Sequence, residues 1–424
     1  MKMTIKNMLK KIFLIAVLAL LVTGPVHARK LSRLNLAPTY NEFKFTGFQA
    51  QVYHTSDSIS TIYIQVQLKD LQYVKKSIDG QPVAEFKVSY ELYDSWDDKN
   101  PADSASFLYS DTTGFGTDLE MIVNFDVPTS FPGNYILKIS LTDLNRESDN
   151  SIFKVIEIFK ETGFEAQNFF LTDDTGYPVF GRHFQTGKYF KIHFNDTGVE
   201  KFVVRYYDRE MPIAKTPFAT EKDFTFKFEP DSFFTISMSG GESQLLELPY
   251  RGIYHFQTDA AQTQGLTLYH FDEGFPEVSS PAQAIAPLRY LTTQKEFDEL
   301  ISYSDLKTAV DSFWLERASQ HPERAKNMIQ RYYSRVQDAN LYFTSFTEGW
   351  KTDRGLIYII YGPPSEVYRS KDEEEWIYGE KGNPLSIKFY FYKVDNPFTD
   401  NDYRLQRSPM YKTSWYIAIE NWRR

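Results

Sequence analysis

Gly349-Trp350-Lys351-Thr352-Asp353-Arg354-Gly355 runs directly into Leu356-Ile357-Tyr358-Ile359-Ile360-Tyr361 and stops at Gly362-Pro363-Pro364. The first seven residues place a flexible glycine and a large indole beside a compact polar cluster. The next six are a continuous apolar run of strand length, rich in Ile and Tyr, and are expected as a strand. Gly362 can take positive φ and two prolines cannot continue a ladder, so the run ends there.

Working outward, Pro322 can open a long helix. Its Ala325, Ile329, Tyr332, Val336, Ala339 and Phe343 step by four and three, one apolar stripe with Arg324, Arg331, Arg335 and Asp338 off it. Downstream, Glu375-Trp376-Ile377-Tyr378 and Ile387-Lys388-Phe389-Tyr390-Phe391 read as aromatic strands, and Asp402-Tyr403-Arg404-Leu405 as a last short element. A helix packed on such strands is an α+β domain.

These residues resemble the signature of the GWxTD-domain family, exported bacterial proteins that usually carry the domain at the C-terminus. The motif with its flanks, Asn340-Leu341-Tyr342-Phe343, Trp376 with Tyr378, Asp395, and Asp402-Tyr403-Arg404, extends the resemblance over residues 286–424. Asn401 stands where the family usually has glycine, and asparagine tolerates left-handed geometry. The resemblance implies export; it implies no reaction.

The N-terminus reads the same way. Lys2, Lys6, Lys10 and Lys11 precede the apolar run Ile12 to Val22, Gly24-Pro25 breaks it, and Val26-His27-Ala28 suits cleavage after residue 28. Loss of those four lysines takes the net charge from −9 to −13, which argues against nucleic acid as a partner. There is no cysteine, so disulfides, thiolate metal sites and a cysteine nucleophile are excluded. No later apolar run reaches membrane length, so no transmembrane segment is expected after cleavage.

With 35 Phe and 29 Tyr, the composition favours strands. After a basic lead-in at 29–38, expected to be mobile, apolar residues alternate with polar ones at Ile62 to Leu68, Phe86 to Leu92, Leu119 to Phe125 and Tyr135 to Leu141. Residues 29–160 are read as one β-sandwich and 161–274 as a second, with Gly187 to Phe194 and Lys201 to Tyr207 as its clearest strands. Gly133-Asn134-Tyr135 and Gly252-Ile253-Tyr254 open a late strand in each, where a Tyr can bond back across the corner. Both sandwiches are expected to be immunoglobulin-like. Prolines 276, 281 and 287 mark a linker at 275–285. Thr293 with Glu296 makes a capping box, and Ser304 is expected to cap the next helix.

Several patterns in the chain bear on chemistry. Ser304-Asp305-Leu306-Lys307 and Ser148-Asp149-Asn150 match two serine β-lactamase motifs, but in the wrong order and with no K-T-G, so the enzyme reading is rejected. The seven histidines lack metal-ligand spacing. Asp94, Asp97, Asp98 and Asp103, and Asp395, Asp400 and Asp402, lack EF-hand spacing and read as solvated turns. No catalytic residue, cofactor site or metal site is assigned.

The motif itself has two readings. In the first, Trp350 plugs the helix–sheet junction, Thr352 or Asp353 caps backbone N–H groups, and Arg354 neutralises Asp353, while Gly349, Gly355, Tyr361, Gly362, Pro363 and Pro364 shape the chain around them. In the second, Trp350, Asp353, Arg354 and the Gly362-Pro363-Pro364 turn line a groove for peptide or glycan. Fold maintenance is favoured. The expectation for the whole is two β-sandwiches and an α+β domain at 286–424. It is read as a non-enzymatic accessory protein of the cell envelope, in the periplasm or on the inner face of the outer membrane, that binds other envelope proteins. The alternative is a protein that binds or hydrolyses glycan or peptidoglycan.

Overall fold

The computed structural model describes residues 30–40, 47–77, 80–148, 150–160, 166–221 and 224–424. The expected signal segment Met1–Ala28 and Asp149 lie outside the described residues.

The alternating stretches become strands with one buried face. The first unit holds β1 (Gln49–Ser56), β2 (Ile59–Gln67), β3 (Val74–Lys75), β4 (Pro82–Tyr93), β5 (Asp103–Asp111), β6 (Glu120–Pro128), β7 (Gly133–Asp143) and β8 (Ser151–Lys160). One antiparallel sheet runs β1-β2-β6; the other runs β3-β4-β7-β8, with β5 on the free flank of β4. Ile62, Ile64, Val123 and Phe125 of the first sheet meet Phe86, Val88, Leu137 and Ile139 of the second. The rings of Tyr90 and Phe125 stack 5.1 Å apart between the layers. This is a sandwich.

The second unit holds β9 (Phe169–Asp173), β10 (Phe190–Phe194), β11 (Lys201–Tyr207), β12 (Ser232–Ser239), β13 (Glu242–Ser243), β14 (Gly252–Gln257) and β15 (Leu266–His270), ordered β15-β14-β11-β12-β13-β10-β9. Strand β12 pairs with β11 over most of its length and with β13 at its end. The sheet thereby turns over on itself and closes around Phe169, Phe190, Phe202 and Phe256. The two glycine-x-tyrosine corners form the same bonds. Ser130 N–H donates to Tyr135 Oη at 3.0 Å, and that hydroxyl donates to Ser130 O at 3.1 Å. Tyr250 N–H and Tyr250 O repeat the pair with Tyr254 at 3.1 and 2.9 Å.

Helices follow: α1 (Pro281–Ile285), α2 (Gln294–Ile301), α3 (Leu306–Arg317) and α4 (Pro322–Phe343). The stretch expected as a linker therefore holds a helix, capped by Ser280, with Ile285 buried in the C-terminal core. Asn340 Nδ2 donates to Pro276 O at 2.9 Å and Tyr332 Oη to Pro287 O at 2.7 Å, so α4 binds this segment along its length. The Thr293–Glu296 capping box is present. Ser304 does not cap α3; Asp305 does, accepting from Lys307 N–H and Thr308 N–H. A carboxylate in place of a hydroxyl also favours the positive end of the helix dipole.

The largest departure from expectation lies in the motif. Asp353–Tyr361 is a helix, α5, and not a strand. Thr352 caps it and its Oγ1 accepts from Gly355 N–H at 3.1 Å. Residues 353–360 are all buried, and a helix buried on every side shows the same unbroken apolar run as a buried strand. Gly362, at φ 89°, stops it. The expected strands follow as an antiparallel meander, β16 (Glu366–Arg369), β17 (Glu373–Tyr378), β18 (Ile387–Lys393) and β19 (Tyr403–Leu405), and a last helix, α6 (Lys412–Arg423), packs back on α5. The fold is mainly β, with an α+β C-terminal part.

Residues 30–40 are not a loose lead-in. Leu31, Leu36, Ala37 and Tyr40 are buried in the C-terminal core, more than 300 residues away in sequence. Leu36 N–H donates to Val367 O at 2.8 Å, and Asn35 Oδ1 accepts from Val367 N–H at 2.9 Å, so this strap covers the edge of β16. The second unit also shares a core with the C-terminal part, where Tyr207, Tyr269 and Phe271 meet Phe346 and Phe398. The strap makes a testable claim. Tyr40→Ala is expected to cost about 3–5 kcal/mol in urea unfolding followed in the C-terminal part. An unchanged midpoint would show that the strap is not part of that core.

Candidate functional site

The motif is built on the end of α4. Asn340 Oδ1 accepts from Trp350 N–H at 3.1 Å, and Thr344 Oγ1 accepts from Gly349 N–H at 3.1 Å. The backbone lies so close that a Cβ on Gly349 would sit 1.8 Å from Ala339 O. A Cβ on Gly355 would sit 2.0 Å from Gly349 O. Both glycines are required by packing, since no side chain fits.

The charged residues point inward from there. Asp353 and Arg354 do not pair with each other. Asp353 Oδ2 accepts from Leu405 N–H at 2.8 Å, and its other oxygen meets Arg407 Nη2 at 2.5 Å. Arg354 Nη1 lies 3.0 Å from Glu374 Oε2, on β17. Arg369 reaches the same oxygen at 3.4 Å. Tyr40 Oη, from the strap, donates to Glu374 Oε1 at 2.9 Å and accepts from Arg369 at 3.1 Å. Adjacent residues on a helix point about 100° apart, so side chains 353 and 354 must find different partners. Burial opposes the charge on Glu374, but Arg369 and Arg354 outweigh it and hold its carboxyl below the usual range. Arg354 also sits over the Tyr403 ring, 4.2 Å from its centre.

Asn401 does not use the left-handed geometry that replacing a glycine suggested. It is absent from the positive-φ residues. Its carbonyl oxygens accept from Arg354 Nη2, and its amide donates to Thr344 O at 2.9 Å and Tyr342 O at 3.2 Å. Sequence reasoning also misplaced Arg335. It is buried, and Nη1 donates to Ile359 O at 3.0 Å, while Trp422 Nε1 donates to Ile360 O at 3.1 Å. Together they satisfy carbonyls at the end of α5, which have no partner within the helix.

The remaining motif residues are spread over three surroundings. Trp376 is fully buried against Phe343 and Tyr40, and it is the plug of the helix–sheet junction. Tyr361 packs on Tyr378 and Phe389, and Tyr378 Oη donates to Gly362 O at 2.7 Å. Pro364 is buried and Pro363 exposed, at the far end of α5 from Asp353. Asp402 pairs with Arg404 at 3.2 Å and accepts from Asn396 at 3.0 Å. Trp350, Asp353, Arg354 and Pro363 therefore form no single groove. Among the described residues, no three His, Cys, Asp or Glu side chains are grouped to hold a metal.

Trp350 stands apart. It is half-buried, edge-on to Tyr290 at 6.0 Å, with Lys351 Nζ 5.5 Å from the ring centre. It lines a cleft of about 700 Å³ where the second unit meets the helices. Phe297, Val278, Met211 and Ile213 give the cleft apolar walls; Glu210, Arg251, Asp272, Glu273, Arg289 and Glu348 give it charges of both signs. Glu348 and Lys351 are buried and paired at 3.0 Å, and Arg251 bridges Asp272 at 2.8 Å to Glu348 at 3.3 Å. Sequence reasoning missed this second-unit contribution, because the residues come from loops far apart in the chain.

One comparison with known proteins falls on the same region. Residues 252–424 match the family model described as the GWxTD domain. No curated protein matches the chain. Among solved structures, a red sea bream transglutaminase is similar over 54% of this chain at 9% identity with a TM-score of 0.19, too slight to bear on fold or activity. The match covers 32% of that protein, so the chain spans about a third of its length.

The two environments predict different costs. Glu374→Gln leaves two buried guanidinium groups without their shared anion and is expected to lose about 3–5 kcal/mol. Trp350→Ala, at the cleft, should lose only about 1–2 kcal/mol. Urea melts of the protein measure both. Equal losses would place Trp350 back in the core.

Proposed function

We propose that this chain, whose C-terminal portion is a GWxTD domain, is an exported accessory protein of the cell envelope that works by binding another protein at the Trp350 cleft. Export rests on the lysine-rich start, the short apolar run and the small-residue cleavage site at Val26-His27-Ala28. No helix among the described residues is long and apolar enough to cross a membrane. The place of action is the periplasm or the inner face of the outer membrane.

The observation that carries the binding reading is the contrast within the motif. Asp353 and Arg354 are spent on buried pairs, Gly349 and Gly355 on close packing, and Thr352 on a helix cap. Trp350 alone among them presents its ring to a cleft large enough to take a side chain or a short segment. A half-exposed Trp in an apolar pocket with a charged rim is the usual composition of a strong binding point between proteins. Mixed charges on the rim suit a polypeptide, which carries both signs, better than a neutral glycan.

The test replaces Trp350 by a photoreactive phenylalanine analogue in cells that express the full chain. Irradiation is expected to yield an adduct with an envelope protein, on a chain that now begins at or near Arg29. Carbohydrate adducts or no adduct would overturn the protein-binding reading, and recovery of the chain with Met1–Ala28 intact would overturn export.

A further inference from the structure

A second cavity, of about 360 Å³, lies where the two β units and the C-terminal part meet. Arg182, Arg369, Lys393, Glu157, Asp400 and Tyr403 line it, together with apolar residues of β1, β9 and β15. Its charges are unequally spent. Lys393 is paired with Glu157, which also accepts from Trp96 Nε1 at 3.1 Å. Arg369 shares Glu374 with Arg354. Arg182 and Asp400 take part in no ion pair among the described residues. Counting Arg354 and Glu374 behind the wall, four cations face three carboxylates, in a protein whose net charge is −9.

The arrangement is held in place. Tyr269 N–H donates to Arg182 O at 2.7 Å, and Phe184 N–H donates to Tyr269 O at 2.8 Å, so the backbone that carries Arg182 is bonded to the edge of β15. The half-buried guanidinium thus offers a planar pair of donors, the geometry that matches a carboxylate or phosphate. Asp400, which also lines the cavity, offers an acceptor for O–H donors.

We propose that this cavity binds a small hydroxylated oxyanion, a sugar acid or sugar phosphate, with its anionic group on Arg182 and its hydroxyls toward Asp400. The volume is in the range of small-molecule sites, and one sugar residue fits within it. The proposal does not depend on protein binding at Trp350.

The experiment follows the thermal midpoint of the mature protein with glucuronate, glucose 6-phosphate, glucose and sodium chloride at matched ionic strength. A saturable rise with glucuronate or with glucose 6-phosphate, and none with glucose or chloride, is expected; which of the two acts tells carboxylate from phosphate. Arg182→Gln, which breaks no ion pair among the described residues, should melt like the parent without ligand and weaken binding about tenfold or more. Arg289→Gln, in the other cleft, should bind as the parent does. No saturable rise in the parent, or an undiminished one in Arg182→Gln, would overturn the proposal. If Arg182→Gln melts lower on its own, equilibrium dialysis of labelled glucose 6-phosphate and glucuronate at low temperature decides by the same comparison.

Discussion

The carboxylate of Glu374 is fully buried and stays charged because two guanidinium groups reach it, Arg354 from α5 and Arg369 from β16, with a hydrogen bond added by Tyr40 from the strap. A lone carboxylate there would be driven neutral by desolvation, and two guanidinium groups without it would repel each other. Each partner comes from a different part of the chain. The helix, the sheet edge and the N-terminal strap must therefore be in register for the carboxylate to gain all its partners. Well-packed apolar residues would hold a core of this size as firmly. What the ion cluster adds is a geometric condition that few alternative packings satisfy.

Around that cluster the motif divides its labour. Gly349 and Gly355 let α5 press against α4, Thr352 starts the helix, and Asp353 ties its first turn to β19 through Leu405 N–H. Arg335 and Trp422 close its far end. The two binding sites proposed above, at Trp350 and in the cavity behind Arg369, both lie at junctions between units. Sites at such junctions gain residues from several loops on rigid supports.

Much of this was legible in the sequence. Period-two alternation placed β2, β4, β6 and β7, because each buries one face only. The four-three stripe placed α4, and the glycine-x-tyrosine corners formed the bonds their spacing implied. The apolar run at 356–361 was misread because burial on all sides erases the periodicity that separates helix from strand. The capping threonine before it, followed by Asp353 in the first turn, was the signal that could have decided it. The Arg354–Glu374 pair was not legible, since pairing is spatial and the nearer Asp353 was the natural guess. Nor was the strap, whose few apolar residues, Leu31, Leu36 and Tyr40, show no period. The C-terminal helix went unremarked although Trp415, Ile419 and Trp422 step by four and three.

Hydrogen exchange on the protein tests most directly whether the strap, the motif helix and the sheet are one cooperative unit. The amides of Leu36 and Val367, which bond across the strap, should exchange with the same opening free energy as those in the middle of α5 and β17. Leu36 exchanging orders of magnitude faster while β17 stays protected would contradict it: the strap would then be an added cover and Glu374 would be held by the two arginines alone.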